Sequence, residues 1–162
     1  MAIVTPYVYE YTLSSYENSS DLFMKVHIRE RWKEGALSLG FTAIPTVLFF
    51  LQREKNLNSI AFNTLLNLLI HWWDKDEWPH PSMESLAIRM GVSVRTVQRA
   101  INDLEKANLL DKKPTSRTSK KYGGRNIYDL GKLVDYLDTM GPSVALRVRE
   151  KERKRVVLRH SE

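Results

Sequence analysis

A mainly α-helical fold follows from three features of the 162-residue sequence. The stretch "NSIAFNTLLNLLIHWW" (58–73) repeats apolar residues at the spacing of a core-facing helix. The stretch "PSMESLAIRMGVSVRTVQRAINDLEKANLL" (81–110) reads as a short helix, a turn at Gly91 and a capped amphipathic helix. Behind it, "LLDKKPT" and "RNIYDL" flank "SRTSKKYGG", the pattern of two short strands around a long hairpin tip. Together these predict a winged helix-turn-helix: a three-helix core plus a β-hairpin wing, with helical extensions at both ends.

Taken in order, residues 1–20 are polar and tyrosine-rich and predict a flexible arm with a short strand at "YVYEYTL". Residues 21–57 predict an N-terminal helical extension. Its first helix runs from an N-cap at Asp21 to Gly35. Its second is capped by Thr42, tolerates Pro45 in its first turn, and turns Ile44, Val47, Leu48 and Leu51 inward. The winged domain is expected over 58–131. Asn58 or Ser59 caps its central helix, whose apolar face is Phe62, Leu65, Leu66, Leu69 and Trp72. Ser82 caps the next helix, which carries Leu86, Ala87 and Met90 and stops at Gly91. Ser93 caps the third, with Val94, Val97, Ile101 and Leu104 inward and Asn108 at its end. Residues 132–162 predict a basic C-terminal helical extension.

Composition narrows the function classes. A hydrophobic content of 43% and an aromatic content of 10% support a packed core. The absence of cysteine excludes disulfides and thiolate metal sites. No basic start precedes an apolar block, and the longest apolar runs fall short of the ~20 residues needed to cross a bilayer. A cytoplasmic, nucleoid-associated protein that binds no membrane is therefore expected. The net charge of +6 is uneven. Residues 1–81 hold 7 basic against 9 acidic side chains, 82–131 hold 10 against 5, and 132–162 hold 8 against 5. The basic excess begins where the helix-turn-helix begins, which suits a polyanionic partner.

The third helix of the winged domain (94–107) offers Arg95, Thr96, Gln98, Arg99 and Asn102 on its outer face. Its first two turns contain no acid, although a merely solvated face would accept Glu as readily as Arg. Arg can pair bidentately with guanine, and Gln or Asn with adenine, so these five are the candidate base contacts. Ser82 and Ser93, at helix N-termini, and Lys112, Lys113, Arg117, Lys120, Lys121 and Arg125, on or beside the hairpin, are the candidate phosphate contacts.

These residues also carry a resemblance. "FTAIP" at 41–45, the leucine-rich helix ending in "HWW", the proline-flanked linker and "LAIRMGVSVRTVQR" at 86–99 resemble bacterial and phage winged helix-turn-helix proteins over roughly residues 40–131. The resemblance implies a winged-helix fold and binding of double-stranded DNA, in transcriptional regulators or in plasmid and phage replication initiators. A regulator acting as a homodimer is the first expectation, because one recognition helix reads only a few base pairs. A replication or partition initiator is the alternative, and a winged helix that docks protein is a third. No cofactor is expected, and a small-molecule effector stays open.

"HWWDKDEWPHPS" (71–82) collects histidines, acids and tryptophans, yet it does not have the form of a metal or catalytic site. His71 and His80 are not paired at i, i+4, and the acids lack the glycine and downstream glutamate of a calcium loop. No nucleophile–base pattern or phosphate loop occurs, so no catalytic or metal residue is assigned and no enzyme is expected. The stretch is expected to join the central helix to the helix-turn-helix. Trp72 extends the helix face, and Trp73 or Trp78 covers the edge of the core.

Overall fold

The computed structural model describes residue 28 and residues 30–159, with side chains described to 151. The tyrosine-rich arm and most of the helix expected from Asp21 lie outside the described residues. The chain divides into two compact units, Met1–Ala43 and Ile44–Glu162.

In the first unit, a helical turn containing Ile28 and Glu30 ends at Trp32. Lys33, in extended conformation, precedes the single-turn helix α1 (Glu34–Leu37). Gly35 therefore sits inside a helix instead of ending one. The chain reverses at Gly40, whose φ of 77° lies in the left-handed region that glycine adopts freely.

The second unit holds α2 (Leu48–Glu54), α3 (Ser59–Leu69), α4 (Met83–Met90), α5 (Val94–Lys106), β1 (Asp111–Lys113), β2 (Ile127–Asp129) and α6 (Gly131–Arg159). Three of the helices have side-chain caps. The Asn58 side-chain oxygen accepts from the Ala61 N–H at 2.8 Å, Ser82 from Ser85 at 3.1 Å, and Ser93 from Thr96 at 3.1 Å. Each cap satisfies a helix N–H that would otherwise lack a partner. α2 has none: Thr42 and Pro45 lie before it, the Pro45 carbonyl accepting from the Leu48 N–H at 2.9 Å, and the N-cap is Val47.

Three helices end in one manner. Asn56, Gly91 and Asn108 follow α2, α4 and α5 with φ of 50°, 65° and 58°. The next N–H in each case reaches back to a helix carbonyl: Leu57 to Gln52 at 2.8 Å, Val92 to Ala87 at 3.0 Å, Leu109 to Leu104 at 3.1 Å. This is the left-handed cap with its trailing apolar residue. Leu57 and Leu109 are buried and Val92 is half-buried against the same core.

That core gathers Leu48 and Leu51 of α2, Ala61, Leu65 and Leu68 of α3, and Leu86 and Ala87 of α4. It continues through Val97, Ala100, Ile101 and Leu104 of α5 to Tyr128, Leu130 and Leu133. Each large aliphatic chain buried there contributes roughly 1.5–3 kcal/mol. α3 packs on both α4 and α5 and is the central helix, as its sequence predicts. Its inner face is Ala61, Thr64, Leu65 and Leu68, rotated from the expected one; Phe62, Leu66, Leu69 and Trp72 sit at its edge, half-buried. α2 and the start of α6 share this core with the helix-turn-helix.

The strands pair antiparallel with Lys112 opposite Tyr128. They are only three residues each, so residues 114–126 form a loop instead of a long extended tip. The Tyr128 N–H donates to the Pro79 carbonyl at 2.9 Å, which ties the interhelical linker to the hairpin. α6 runs unbroken through Pro142, and "GKLVDYLDTMG" and the basic tail are one helix. Arg147 on α6 reaches Glu54 at 2.7 Å, and Lys55 lies 3.9 Å from the centre of the Tyr136 ring. Among the described residues, no helix is long and apolar enough to cross a membrane, and no group of three acidic or histidine side chains could hold a metal ion.

Candidate nucleic-acid interface

α4 and α5 are joined by Gly91, Val92 and Ser93. Gly91 makes the left-handed turn, and Ala87 is buried in the core. α5 is sharply two-sided. Val97, Ala100, Ile101 and Leu104 are buried; Arg95, Gln98 and Arg99 are exposed, and Thr96 and Asn102 are half-buried. The sequence pattern placed Val94 inward, but it is 39% exposed and Ala100 takes the core position. Val94 is the first residue of α5, three positions before the first buried one, Val97. The side-chain periodicity continues into that turn although the core does not.

The first turn is held by hydroxyls. Ser93 Oγ accepts from the Thr96 N–H and lies 2.8 Å from the Thr96 hydroxyl, so both groups serve the cap. Arg95, Gln98 and Arg99 project around this end of the helix. No acid occurs in its first turn.

The hairpin lysines divide into tethered and untethered groups. Lys112 donates its backbone N–H to Glu105 Oε1 at 3.1 Å, and its Nζ lies 3.3 Å from Glu105 Oε2 and 3.4 Å from Asn102 Oδ1. It therefore braces β1 against α5. Lys113 Nζ lies 2.6 Å from Asp129 Oδ2 across the strands. This hydrogen bond, helped by the Gly131 N–H, holds the Asp129 carboxyl below the usual carboxylate range, while the same contact raises the Lys113 ammonium. Lys121 pairs with Glu77 of the linker at 3.1 Å and is raised by it. Sequence spacing could not show these partners, because each acid lies on a different element from its lysine.

Arg117, Lys120 and Arg125 are exposed. Arg125 caps the loop from within, donating to the Tyr122 and Lys121 carbonyls at 2.9 and 3.1 Å. The loop is compact. Gly123 and Gly124 adopt positive φ, and the Gly124 N–H donates to the Ser116 carbonyl at 3.1 Å. A side chain at Gly124 would meet Arg117 Cγ at 3.1 Å. Ser82 lies in a notch between the N-terminus of α4 and Gly123, Gly124 and Arg125, so one cap and the loop glycines face a common space.

The linker "HWWDKDEWPHPS" supports this surface. Trp72 and Trp78 pack with ring centroids 5.1 Å apart, both against the core, whereas Trp73 is 69% exposed. Trp78, not its neighbour Trp73, is the covering ring. Asp74 and Asp76 form a tight turn, and His80 stacks edge-on against Tyr122 of the hairpin loop at 5.1 Å.

Residues 55–110 match a family model described as a helix-turn-helix domain. A structure of a "possible transcriptional regulator" from Methanosarcina mazei Go1 is similar to 70% of this chain and 96% of its own, at 17% identity and a TM-score of 0.42. No curated protein matches. The family match covers the segment in which Gly91 turns α4 onto α5, a helix-turn-helix that is followed by a short β-hairpin.

Proposed function

We propose that the chain is a sequence-specific double-stranded DNA-binding protein that regulates transcription as a homodimer. α5 enters the major groove with its N-terminal half leading, and the loop 114–126 lies along the phosphates. The observation that carries this reading is the exposed first half of α5. Arg95, Gln98 and Arg99 are exposed, the first turn of the helix holds no acid, and Val97, Ala100, Ile101 and Leu104 are buried on the opposite face. Those side chains match the donor and acceptor pattern of base edges in the major groove. In this reading Thr96 and Asn102 flank the base contacts. Ser82 and Ser93 present helix N-termini to phosphate. Arg117 and Lys120 supply the freest backbone contacts, with Arg125, Lys112, Lys113 and Lys121 adding charge beside their own partners.

The test is selection of bound duplexes from a random library, followed by affinity measurement over a range of salt. Enrichment of a motif with two inverted half-sites and a steep negative salt slope is the expected result. Direct repeats would assign the protein to origin binding instead. Salt-insensitive behaviour without DNA retention would overturn the proposal.

A further inference from the structure

We propose that Val94 is a specificity residue that reads thymine through contact with its C5 methyl group; this rests on the DNA-binding reading above. Four buried residues, Val97, Ala100, Ile101 and Leu104, already supply the core face of α5. Val94 stands outside that set and leaves 39% of its surface in solvent. It is the first residue of α5, next to the N-cap Ser93, at the end of the helix that leads into the groove.

A β-branched residue is a poor helix former, and the 39% of Val94 left exposed gains nothing in water. The neighbouring hydroxyls do not compete for the position, because Ser93 and Thr96 bond to one another and to the cap. Val94 thus offers an apolar surface at the tip of the helix, one turn before Gln98 and beside Arg95. The major-groove edges of the base pairs are otherwise rows of donors and acceptors, and the thymine methyl is their apolar feature. A valine against it removes both from water, while cytosine has only a hydrogen at C5 and an amino group in place of the adjoining O4. The side chains around Val94 can pair with polar edges, so together they distinguish a mixed step that contains thymine.

The experiment uses the full chain and the duplex recovered from selection, resynthesised with deoxyuridine at one thymine at a time. Deoxyuridine removes the methyl and leaves every hydrogen-bonding group in place. At one thymine per half-site, affinity should fall roughly fourfold, the worth of one methyl group taken out of water. With Val94→Ala, the thymine and deoxyuridine duplexes should bind alike at that position. Binding that ignores deoxyuridine everywhere, or a thymine preference that survives in Val94→Ala, would overturn the assignment while leaving the DNA-binding reading intact. Failure to recover any duplex would overturn both. The deoxyuridine arm needs no variant, and a melting curve of Val94→Ala shows whether its fold is kept.

Discussion

The Lys121 ammonium lies 3.1 Å from the Glu77 carboxylate, and this contact sets the hairpin loop against the linker that joins α3 to α4. The pair is exposed, so it adds little to stability. It does neutralise a cation on the face assigned to phosphate. Glu77→Gln should therefore leave melting nearly unchanged and strengthen binding to all DNA sequences alike. The slope of log affinity against log salt should steepen by up to about one unit as Lys121 gains a phosphate. Equal slopes for the two proteins would show that Lys121 stays away from the backbone.

Arg99 and Lys120 should separate base reading from charge. Arg99 sits exposed on α5, and Arg99→Ala should cost about 1–3 kcal/mol on the selected site and relax the preference at one position. Lys120 is exposed on the loop, and Lys120→Ala should weaken every sequence equally and flatten the salt slope by about one unit. A panel of single-base site variants measured at several salt concentrations distinguishes the two. An Arg99→Ala protein with the unchanged preference would exclude a base contact.

Adjacent tryptophans of the linker should behave oppositely. Trp72 packs on Trp78 and on the core, while Trp73 is 69% exposed. Trp72→Ala should destabilise the fold by about 2–4 kcal/mol, near the lower end for a large aromatic because one edge stays in solvent. Trp73→Ala should stay within roughly 0.5 kcal/mol of the parent. Denaturant melts of both variants check this, and similar midpoints would contradict the placement of the rings.

What was legible in the sequence was local. Asn58, Ser82 and Ser93 cap the helices expected of them, and Gly91 and Asn108 end theirs, because capping depends on a few consecutive residues. The two-sidedness of α5 was legible for the same reason. Val94 was misplaced because periodicity carries no information about where along the helix the core begins. Ala100 was passed over because a methyl side chain contributes little to an apolar pattern, yet it is buried in the core. The division of the hairpin lysines could not be read at all. Glu105, Asp129 and Glu77 become their partners only once α5, β2 and the linker are brought together. Trp78 was distinguishable from Trp73 only through the path the chain takes after Ile70.

His71 gives the fold a pH dependence of predictable sign. Burial, and then the charges of Arg89 and His80, lower its pKa from 6.5 to about 4. Its Nε2 is buried and has no hydrogen-bond partner among the described residues, which suits a neutral ring. The folded chain therefore resists a proton that the unfolded chain accepts. This contribution to stability is present in full above pH 6.5, declines as the pH falls, and is exhausted near pH 4. The full shift corresponds to about 3 kcal/mol, and the half-exposed ring reduces that to roughly 1–2 kcal/mol. Melting temperature should fall between pH 6.5 and 4 in the parent, and His71→Gln should flatten that part of the profile. Asp129 adds a further loss at lower pH, since Lys113 holds its carboxyl below the normal range and protonation there breaks the pair. An unchanged acid limb in His71→Gln would show that the imidazole is as accessible to protons in the folded chain as in the unfolded one.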